Sequence, residues 1–467
     1  MVEQQTIPRI SGLPLLGNLL ELQRDRLSML KRLVCECGEI GSFRIGRRAI
    51  VVSNKPEHAQ IVLVDRADDF EKTPFLDLMR PLLGNGLLTS RNEFHRRQRK
   101  LVAPAFQYRR IAEYAAVMAE YAERSQARWV DGATIDVAEE MMRLTLWIIG
   151  KTLFDADVAA EARELGRSLT LLLKFVIAQI GAVIPIPQHW PTPRNRRVQQ
   201  AIDRLDATVY RMIAERRASG GDCGDLLSML LQARDEDDGG FMTDQQVRDE
   251  AMTLFLAGHE TTAVALVWSW YLLTQHPQNY ARMQAEIDHV LAGRAPALAD
   301  LPNLPYTLQV LKEAMRMYPP AYILGRVAIR PVDLGDYQLA AGTIIDFSPY
   351  IMHRRPDIYP EPERFVPERW TPEFERSLPR HAYMPFGAGP RICIGNHFAM
   401  MEGHFLLAAL AQRITFELAP GQRIAPEPMI TLRPKDGIKM IVRRRYHLSR
   451  STDANIDPSI VVDRLCV

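Results

Sequence analysis

Cysteine is sparse in this chain of 467 residues and carries information for that reason. An odd and scattered set does not suggest a disulfide framework, which small secreted domains build from even numbers of cysteines. A zinc site normally needs four clustered ligands, and the pair Cys35-x-Cys37 has no second pair at metal spacing, so we interpret it as structural. We therefore expect a reducing, cytoplasmic location. The cysteines are Cys35, Cys37, Cys223, Cys393 and Cys466.

Long apolar runs and an excess of charge of one sign are also missing. The apolar stretch 13–22 is interrupted by Pro14, Gly17 and Asn18 and falls far short of the ~20 residues that a membrane-spanning helix needs. No basic flank, long apolar core and small-residue cleavage site precede it, so we expect neither a secretory signal nor a membrane anchor. The formal net charge is +2, which gives no overall field to attract nucleic acid.

Most of the remaining pattern is helical. Apolar residues recur at helical spacing in 111–129, 141–154 and 198–213, within a region that we predict to be mostly helical from Asn92 to Tyr318. An alternating run over 42–52 turns at 46–48 and predicts a β-hairpin. Beyond Pro319, strand-like runs occupy 323–329, 343–347 and 438–442. We therefore predict a mainly α fold with a small β-rich lobe, and a tail after residue 449 that is loosely held.

One predicted helix is unusually long. The segment 243–275 contains no proline over 33 residues and would span ~50 Å. Thr243 and Gln246 form a capping-box signature at its start, and Pro277 follows its end. Its middle, 254–266, is largely apolar and is interrupted by the polar group AGHETT at 257–262. We interpret this segment as a helix through the core.

A second distinctive segment is the loop 386–395, which reads FGAGPRICIG. Its lone cysteine, Cys393, suits a haem thiolate, which pushes electron density to the iron and favours O–O cleavage. The glycines allow tight turns against a flat macrocycle, Arg391 can bind a propionate, and Phe386 can pack beside the sulfur. The alternative is a buried free cysteine that acts as a small hydrophobic residue.

The spacing Phe-x-x-Gly-x-Arg-x-Cys-x-Gly resembles the haem-binding loop of the cytochrome P-450 superfamily, and 257–262 resembles its oxygen-binding signature. This resemblance implies a soluble, bacterial-type haem-thiolate monooxygenase, with residues 1–467 forming one haem b-enclosing unit. It implies that Gly258 leaves room for dioxygen, that Thr261 donates a hydrogen bond to it, and that Glu260 relays protons from solvent. The alternative for Thr261 is a hydrogen bond to the carbonyl one turn earlier. His259 is interpreted as a satisfied helix histidine.

Two further groups carry the resemblance. Glu313-x-x-Arg316 resembles the family's Glu-x-x-Arg pair, and the segment 365–369 supplies Arg369 as the expected third member. The nearby Arg364 is interpreted as a decoy that does not join them. The alternative for Glu313 and Arg316 is a surface ion pair of little energetic value. Basic residues are expected to contact the haem propionates, and His95 stands at a position where the family often has Trp. Together with Phe386 and Gly387, the cofactor-binding set is His95, Arg99, Arg326, Arg391 and the axial ligand Cys393.

The substrate pocket is predicted from apolar segments of the chain, although a hydrophobic core would have the same composition. A lipophilic substrate such as a fatty acid, terpenoid, steroid or macrolide-like metabolite is expected. The connection Phe175–Pro193 is expected to be a flexible roof over the pocket, with candidates in 176–184. The candidate substrate-binding residues are Phe75, Leu76, Met79, Leu82, Phe255, Ala257, Ile323, Leu324 and Thr431.

Electron donors are expected to be separate proteins. No Gly-x-Gly-x-x-Gly opens a helix after a strand, and no fused ferredoxin cysteine set is present. We expect a monomer that receives electrons from NAD(P)H through a ferredoxin or flavodoxin and its reductase, with Arg96, Arg97 and Lys100 as a possible docking face. The rival functions are a peroxide-driven oxygenase, a haem-thiolate isomerase and a non-catalytic gas sensor. Glu260 and Thr261 argue against the first two, since proton relay is needed when dioxygen is the oxidant.

Overall fold

The computed structural model describes residues 5–107, 112, 114–155, 162–180, 187, 190–219, 225–234 and 239–445. The predicted tail after residue 449, residues 181–184 of the predicted roof, Cys223 and Cys466 lie outside these described residues.

Helices dominate the described chain, as predicted. Short 3₁₀ turns include Pro74–Met79, Pro367–Arg369 and Gly389–Arg391. The helices are α1 (Leu19–Arg24), α2 (Arg26–Cys37), α3 (Pro56–Gln60), α4 (Arg80–Leu83), α5 (Asn92–Val102), α6 (Ala115–Ala127), α7 (Val137–Phe154), α8 (Ala162–Ile180), α9 (Pro193–Ser219), α10 (Leu226–Gln232), α11 (Asp244–Gln275), α12 (Pro277–Leu291), α13 (Pro305–Met317), α14 (Pro349–Met352), α15 (Pro372–Ser377) and α16 (Asn396–Arg413).

The described strands form four separate sheets, of five, three, two and two strands. The largest sheet has the order β1-β2-β8-β5-β3, in which β2 and β8 are parallel and the other neighbours antiparallel. The strands are β1 (Ile40–Ile45), β2 (Arg48–Ser53), β3 (Phe70–Lys72), β4 (Thr134–Asp136), β5 (Leu324–Ala328), β6 (Val332–Leu334), β7 (Tyr337–Leu339), β8 (Ile344–Phe347), β9 (Ile414–Leu418), β10 (Pro426–Pro428), β11 (Leu432–Pro434) and β12 (Lys439–Arg444). The predicted mainly α fold with a β-rich lobe is confirmed.

The long helix predicted from 243–275 is α11. Its N-terminus is closed by the predicted capping box: the Thr243 hydroxyl accepts from the Gln246 amide at 3.2 Å, and the Gln246 side chain accepts from the Thr243 amide at 2.8 Å. By length and composition alone this helix could cross a membrane, yet 83% of its apolar window is buried inside the protein. It therefore forms the axis of the main hydrophobic core, against α7, α13 and α16.

The predicted roof needs one correction. The connection was expected to begin at Phe175, but α8 continues to Ile180. Phe175 and Val176 are buried in the main core, and the guanidinium of Arg194 lies 4.9 Å from the Phe175 ring centroid. Burial of these apolar side chains favours continuing the helix, since the prolines that suggested a loop begin only at Pro185.

Candidate active site

The cysteine loop is held in a tight turn between the β-rich lobe and α16. The Cys393 amide donates to the Phe386 carbonyl at 3.0 Å, and Gly387 and Gly389 have φ values of +73° and +69°. A Cβ on Gly389 would lie 1.8 Å from the Leu63 carbonyl oxygen, so only glycine allows this approach. Phe386 packs against the main core.

Cys393 is exposed to solvent, yet protein atoms closely surround its thiol. Burial raises the thiol's pKa, while a hydrogen bond from the Gly395 amide and the charge of Arg99 act in the opposite direction. Those two contacts favour a thiolate. Among the described residues no group of three or more His, Cys, Asp or Glu side chains is arranged to hold a metal ion, which leaves Cys393 as a lone potential ligand.

Five basic side chains converge beside this loop: Lys72, His95, Arg99, Arg326 and Arg391. Lys72 on β3 pairs in register with Arg326 on β5. Burial, then the charges of Arg326 and Arg391, lower the pKa of Lys72 well below its ordinary value. Burial first, and then the other four cations, lower the pKa of His95 to about 3. These side chains therefore lie close enough to repel one another.

No carboxylate forms an ion pair with this cationic cluster in the described part of the chain; the charge of Glu71 acts on Arg391, but its carboxylate pairs with Arg91. None of Lys72, Arg99, Arg326 and Arg391 forms an ion pair there; Arg391 donates to the Ser90 carbonyl at 3.0 Å, and Arg326 to the Gly325 carbonyl at 2.9 Å. Partly buried cations without anions are costly, so the cluster suits a ligand that carries negative charge. The residues fit haem, which would present two propionates to the cations and its iron to the thiol.

Lys72 was not predicted from the sequence. The cluster brings together the predicted residues His95, Arg99, Arg326 and Arg391, which lie far apart in the sequence, and adds Lys72 from a short edge strand. A single lysine in a three-residue strand has no distinguishing spacing. The only feature that identifies Lys72 is its pairing with Arg326 across the sheet, and that pairing is visible only in the folded structure.

One face of α11 opens toward an interior space. Along the middle of this helix the residues are buried except Ala257, Gly258 and Thr261, which are partly or fully exposed. Positions i, i+1 and i+4 lie on the same side of a helix. The Thr261 hydroxyl donates to the Ala257 carbonyl at 2.7 Å, which is the back-bonded geometry weighed as the alternative for this residue.

The structure gives a reason for glycine at position 258 that differs from the one predicted. A Cβ at this position would lie 2.4 Å from Cδ1 of Ile149 on α7. The missing side chain therefore lets α7 and α11 approach closely. Ile149 occupies the space that a side chain at position 258 would fill. Room for dioxygen at Gly258 stays a prediction.

Glu260 is buried, and its carboxylate is held by Thr431. The Thr431 hydroxyl donates to Glu260 Oε1 at 2.7 Å. Burial raises the pKa of Glu260, while the Thr431 hydrogen bond and the charge of Arg433 oppose the rise. Thr431 was predicted to line the substrate pocket, but its hydroxyl is committed to Glu260, so only its methyl group is available to a substrate.

His259 does not behave as predicted. It was interpreted as a satisfied helix histidine, but its Nδ1 is buried and has no hydrogen-bond partner among the described residues. Burial lowers its pKa to about 4, so the ring is neutral near neutral pH. Glu260 and His259 both line a cavity of about 480 Å³ on another side of α11.

Glu313 lies at the centre of a buried network. Its Oε2 accepts from Arg316 Nε at 2.8 Å and from Trp370 Nε1 at 2.9 Å, and its Oε1 accepts from Arg369 Nε at 3.0 Å. The Glu313 and Arg316 side chains are 0% exposed, which excludes the alternative of a surface ion pair. Arg364, the predicted decoy, pairs on the surface with Glu361 and contributes only its carbonyl to Arg316.

This network is linked to the cysteine loop through His353. Arg316 Nη1 donates to the His353 carbonyl at 2.8 Å, and the His353 ring accepts from the Met384 amide at 3.1 Å. The Met384 carbonyl in turn accepts from the Gly387 amide at 3.1 Å. The network therefore supports the loop mechanically. Trp370 and His353 were not predicted, since neither falls on a recognisable spacing.

The predicted substrate residues are distributed over three apolar clusters. Met79, Leu82 and Phe255 are buried in the main core; Phe75 and Ile323 pack against a cluster in the β-rich lobe, and Leu324 against another. Leu324 also lies near the cysteine loop, because a Cβ on Gly387 would be 3.8 Å from its Cδ1. Leu76 is partly exposed. Ala257 opens toward the interior space described above.

The chain is similar to known proteins over nearly its full length. The family described as Cytochrome P450 matches residues 8–442. A cyclooctatin synthase from Streptomyces melanosporofaciens is 41% identical over 90% of this chain and 92% of the relative. A cyclooctat-9-en-7-ol 5-monooxygenase from the same organism is 38% identical over 88% and 89%, and a pentalenene oxygenase from Streptomyces avermitilis 35% identical over 90% and 93%.

Proposed function

Since this chain belongs to the cytochrome P450 family and is a monooxygenase, we propose that it binds haem b through Cys393 and oxygenates a lipophilic small molecule. Haem bound by a thiolate supplies the activation of dioxygen. The observation that carries the proposal is the exposed Cys393 thiol beside basic side chains that form no ion pairs with carboxylates in the described part of the chain. A haem supplies both missing components, an iron for the thiol and carboxylates for the cations.

The cofactor contacts follow from the charges in the cluster. Arg99, Arg326 and Arg391, with Lys72, would neutralise the propionates; Arg99 also lowers the pKa of the Cys393 thiol. His95 is neutral at working pH and can donate a ring N–H to a propionate. The Gly395 amide keeps a hydrogen bond to the sulfur, which stabilises the thiolate.

Glu260 and Thr261 would manage protons for the oxygen chemistry. Burial raises the pKa of Glu260, which favours the protonated form that a general acid needs, while the Thr431 hydrogen bond and the charge of Arg433 oppose the rise. Thr261 presents its hydroxyl at the open face of α11 and can accept a proton there while it donates to the Ala257 carbonyl.

The substrate is proposed to be a hydrocarbon-rich terpenoid. The names of the relatives refer to an alkene, pentalenene, and to an unsaturated alcohol, cyclooctat-9-en-7-ol. The candidate pocket residues are apolar except Thr431, whose hydroxyl is occupied by Glu260. Such a pocket suits a substrate with few polar groups, because few hydrogen bonds are offered to it.

We propose electron delivery by a ferredoxin or flavodoxin with an NAD(P)H-dependent reductase, and a monomer in the cytoplasm. Exposed basic residues near the cysteine loop would contribute to docking of the electron donor. Two of these residues, Arg96 and Lys100, are exposed on α5. A reducing compartment is supported by Cys35 and Cys37, which are both free thiols in the structure.

The ligand assignment is tested by the spectrum of the ferrous protein with carbon monoxide. We expect a strongly red-shifted Soret band that is absent from Cys393→Ala, because only a thiolate ligand produces it. The control is Cys35→Ala, which removes an exposed thiol outside the site. A red-shifted band that persists in Cys393→Ala would contradict the assignment.

The proton-transfer assignment is tested by coupling. Thr261→Ala should keep haem content and substrate-induced spectral changes, because no cluster or thiol contact involves this hydroxyl. Product formed per NAD(P)H consumed should fall by about 10²-fold, with hydrogen peroxide released instead. Turnover driven by added peroxide should be much less affected. Wild-type coupling in both Thr261→Ala and Glu260→Gln would instead favour a peroxide-driven enzyme.

A further inference from the structure

The cavity behind α11 has charged groups among its lining residues. Its volume is about 480 Å³. The residues at its mouth are exposed and charged: Glu139, Arg167, Lys174 and Lys435. Buried His259, whose Nδ1 lacks a partner among the described residues, also lines it. Apolar side chains such as Leu146, Leu169 and Val264 also line the cavity, so we expect water chiefly at its charged groups and at the unpaired ring nitrogen.

Glu260 connects this cavity to the helix face that carries Thr261. Glu260 follows His259 and precedes Thr261, and it lines the cavity while Thr261 opens toward the interior space. The other charged groups lining the cavity are Asp136, Arg143 and Arg433, and the charge of Arg433 acts on Glu260. Asp136 caps α7 and pairs with Lys439, and Arg143 pairs with Glu139 and Glu140, so their charges are largely compensated.

Thr431 decides how the Glu260 carboxyl is oriented. Its hydroxyl donates to Oε1 at 2.7 Å, and both residues are buried, at 4% and 3% exposure. An oxygen that accepts this bond is disfavoured as the site of the carboxyl proton, because two hydrogens would then compete for the same oxygen. The transferable proton is therefore kept on Oε2.

We propose that Thr431 is a positioning residue that fixes the Glu260 carboxyl, and that this carboxyl takes its protons from water in the cavity behind α11. For each proton that Glu260 gives toward Thr261, one proton enters from the cavity and restores the carboxyl, so no further reactant is needed. This inference rests on the proposed role of Glu260 as a relay. It assigns Thr431 to proton delivery, where the sequence predicted a wall of the substrate pocket.

The test compares Thr431→Val with Thr431→Ser in the haem-loaded protein. Valine keeps the shape of the side chain and removes the hydroxyl; serine keeps the hydroxyl. The matched control is Thr152→Val, because the buried Thr152 hydroxyl bonds only to the Ile148 carbonyl of its own helix at 2.8 Å. The infrared band of the Glu260 carboxyl is identified as the band that Glu260→Gln removes.

In Thr431→Val we expect the carboxyl band to titrate at higher pH than in the wild type, since a hydrogen bond that lowers the pKa is lost. Coupling of NAD(P)H to product should fall roughly 10-fold to 10²-fold, the scale of a misplaced catalytic group, with unchanged substrate affinity. Thr431→Ser should restore both properties. Weaker substrate binding with normal coupling would show that Thr431 lines the substrate pocket, and it would overturn the proposal.

The cavity is tested separately with Gly166→Phe. Gly166 lines the cavity, and a Cβ there would meet nothing within 4 Å, so the added side chain begins in open space. We expect slower hydrogen–deuterium exchange of the Glu260 carboxyl and a matching loss of coupling. Exchange at the wild-type rate would show that protons enter elsewhere. Normal coupling in Glu260→Gln would overturn the relay itself, whereas a loss there with a normal Thr431→Val would overturn only the role of Thr431.

Discussion

At the scale of single residues, the structure adds to the predicted haem site a cation that the sequence did not reveal. The predicted arginines and His95 were found through motif spacing, whereas Lys72 enters the cluster only because β3 pairs with β5. Similarly, the Glu260–Thr431 contact joins residues 171 positions apart. Spacing within a motif can be read from the chain, but a contact made across a sheet or between loops requires the fold.

Removing the Lys72 charge should affect the haem-free and haem-loaded proteins in opposite directions. Without haem, Lys72→Met relieves repulsion from Arg326 and Arg391 and should raise the midpoint of thermal unfolding. With haem, it loses a charge-assisted contact worth about 1.5 to 3 kcal/mol, so haem should dissociate roughly 10-fold to 10²-fold faster. Transfer of haem to an acceptor protein measures this rate.

The control for this prediction is Lys100→Met, which removes an exposed charge next to Arg99 in sequence. It should change neither midpoint nor haem dissociation. Equal effects of the two substitutions would mean that Lys72 does not meet the cofactor.

At the scale of elements, periodicity and caps predicted what local sequence determines. The hairpin over 42–52 is β1 paired with β2, and α11 begins at the predicted capping box. The end of α8 was wrong by six residues, 175 to 180, since burial of Phe175 and Val176 extends the helix. The close approach of α7 and α11 at Gly258 was also missed, because packing between distant helices leaves no local pattern.

This helix contact predicts a compensating pair of substitutions. Gly258→Ala places a methyl group against Ile149 Cδ1 and should cost about 1 to 3 kcal/mol of stability despite alanine's better helix propensity. Ile149→Val removes that carbon atom. The double variant should therefore recover about 1 kcal/mol relative to additivity, as measured by denaturant midpoints in a double-mutant cycle.

Gly166→Ala is the matched control for a helical glycine, because nothing lies within 4 Å of its added methyl group. It should stabilise the protein by about 0.5 to 1 kcal/mol. Additive effects of Gly258→Ala and Ile149→Val would contradict the proposed contact.

At the scale of the whole molecule, a single unit over residues 1–467 stays a prediction that the family match over 8–442 supports.

Buried acids give this unit a defined dependence of stability on pH. Glu402 on α16 is 0% exposed, and both carboxyl oxygens lack hydrogen-bond partners in the described part of the chain. Burial raises its pKa to about 8 from an ordinary 4.5, although the nearby Thr262 hydroxyl opposes the rise.

A carboxyl whose pKa is higher in the folded than in the unfolded protein stabilises the fold fully below the unfolded value and loses that contribution as pH rises through the folded value. The unfolding midpoint of the wild type should therefore decrease between pH 5 and 8. Glu402→Gln keeps the shape without the ionisation, so its midpoint should change less over this range. Glu373→Gln, in an exposed pair with Arg376, should retain the wild-type dependence. Parallel curves for Glu402→Gln and the wild type would exclude Glu402 as the source.

The cationic cluster has a consequence for how the protein is produced in a cell. Lys72, Arg99, Arg326 and Arg391 lie together without ion pairs in the described polypeptide, so the newly made chain carries an internal repulsion. A ligand that binds only the folded chain stabilises it in proportion to the logarithm of its free concentration. The amount of intact protein should therefore follow the supply of the cofactor, and cells starved of iron should degrade the chain rather than store it empty.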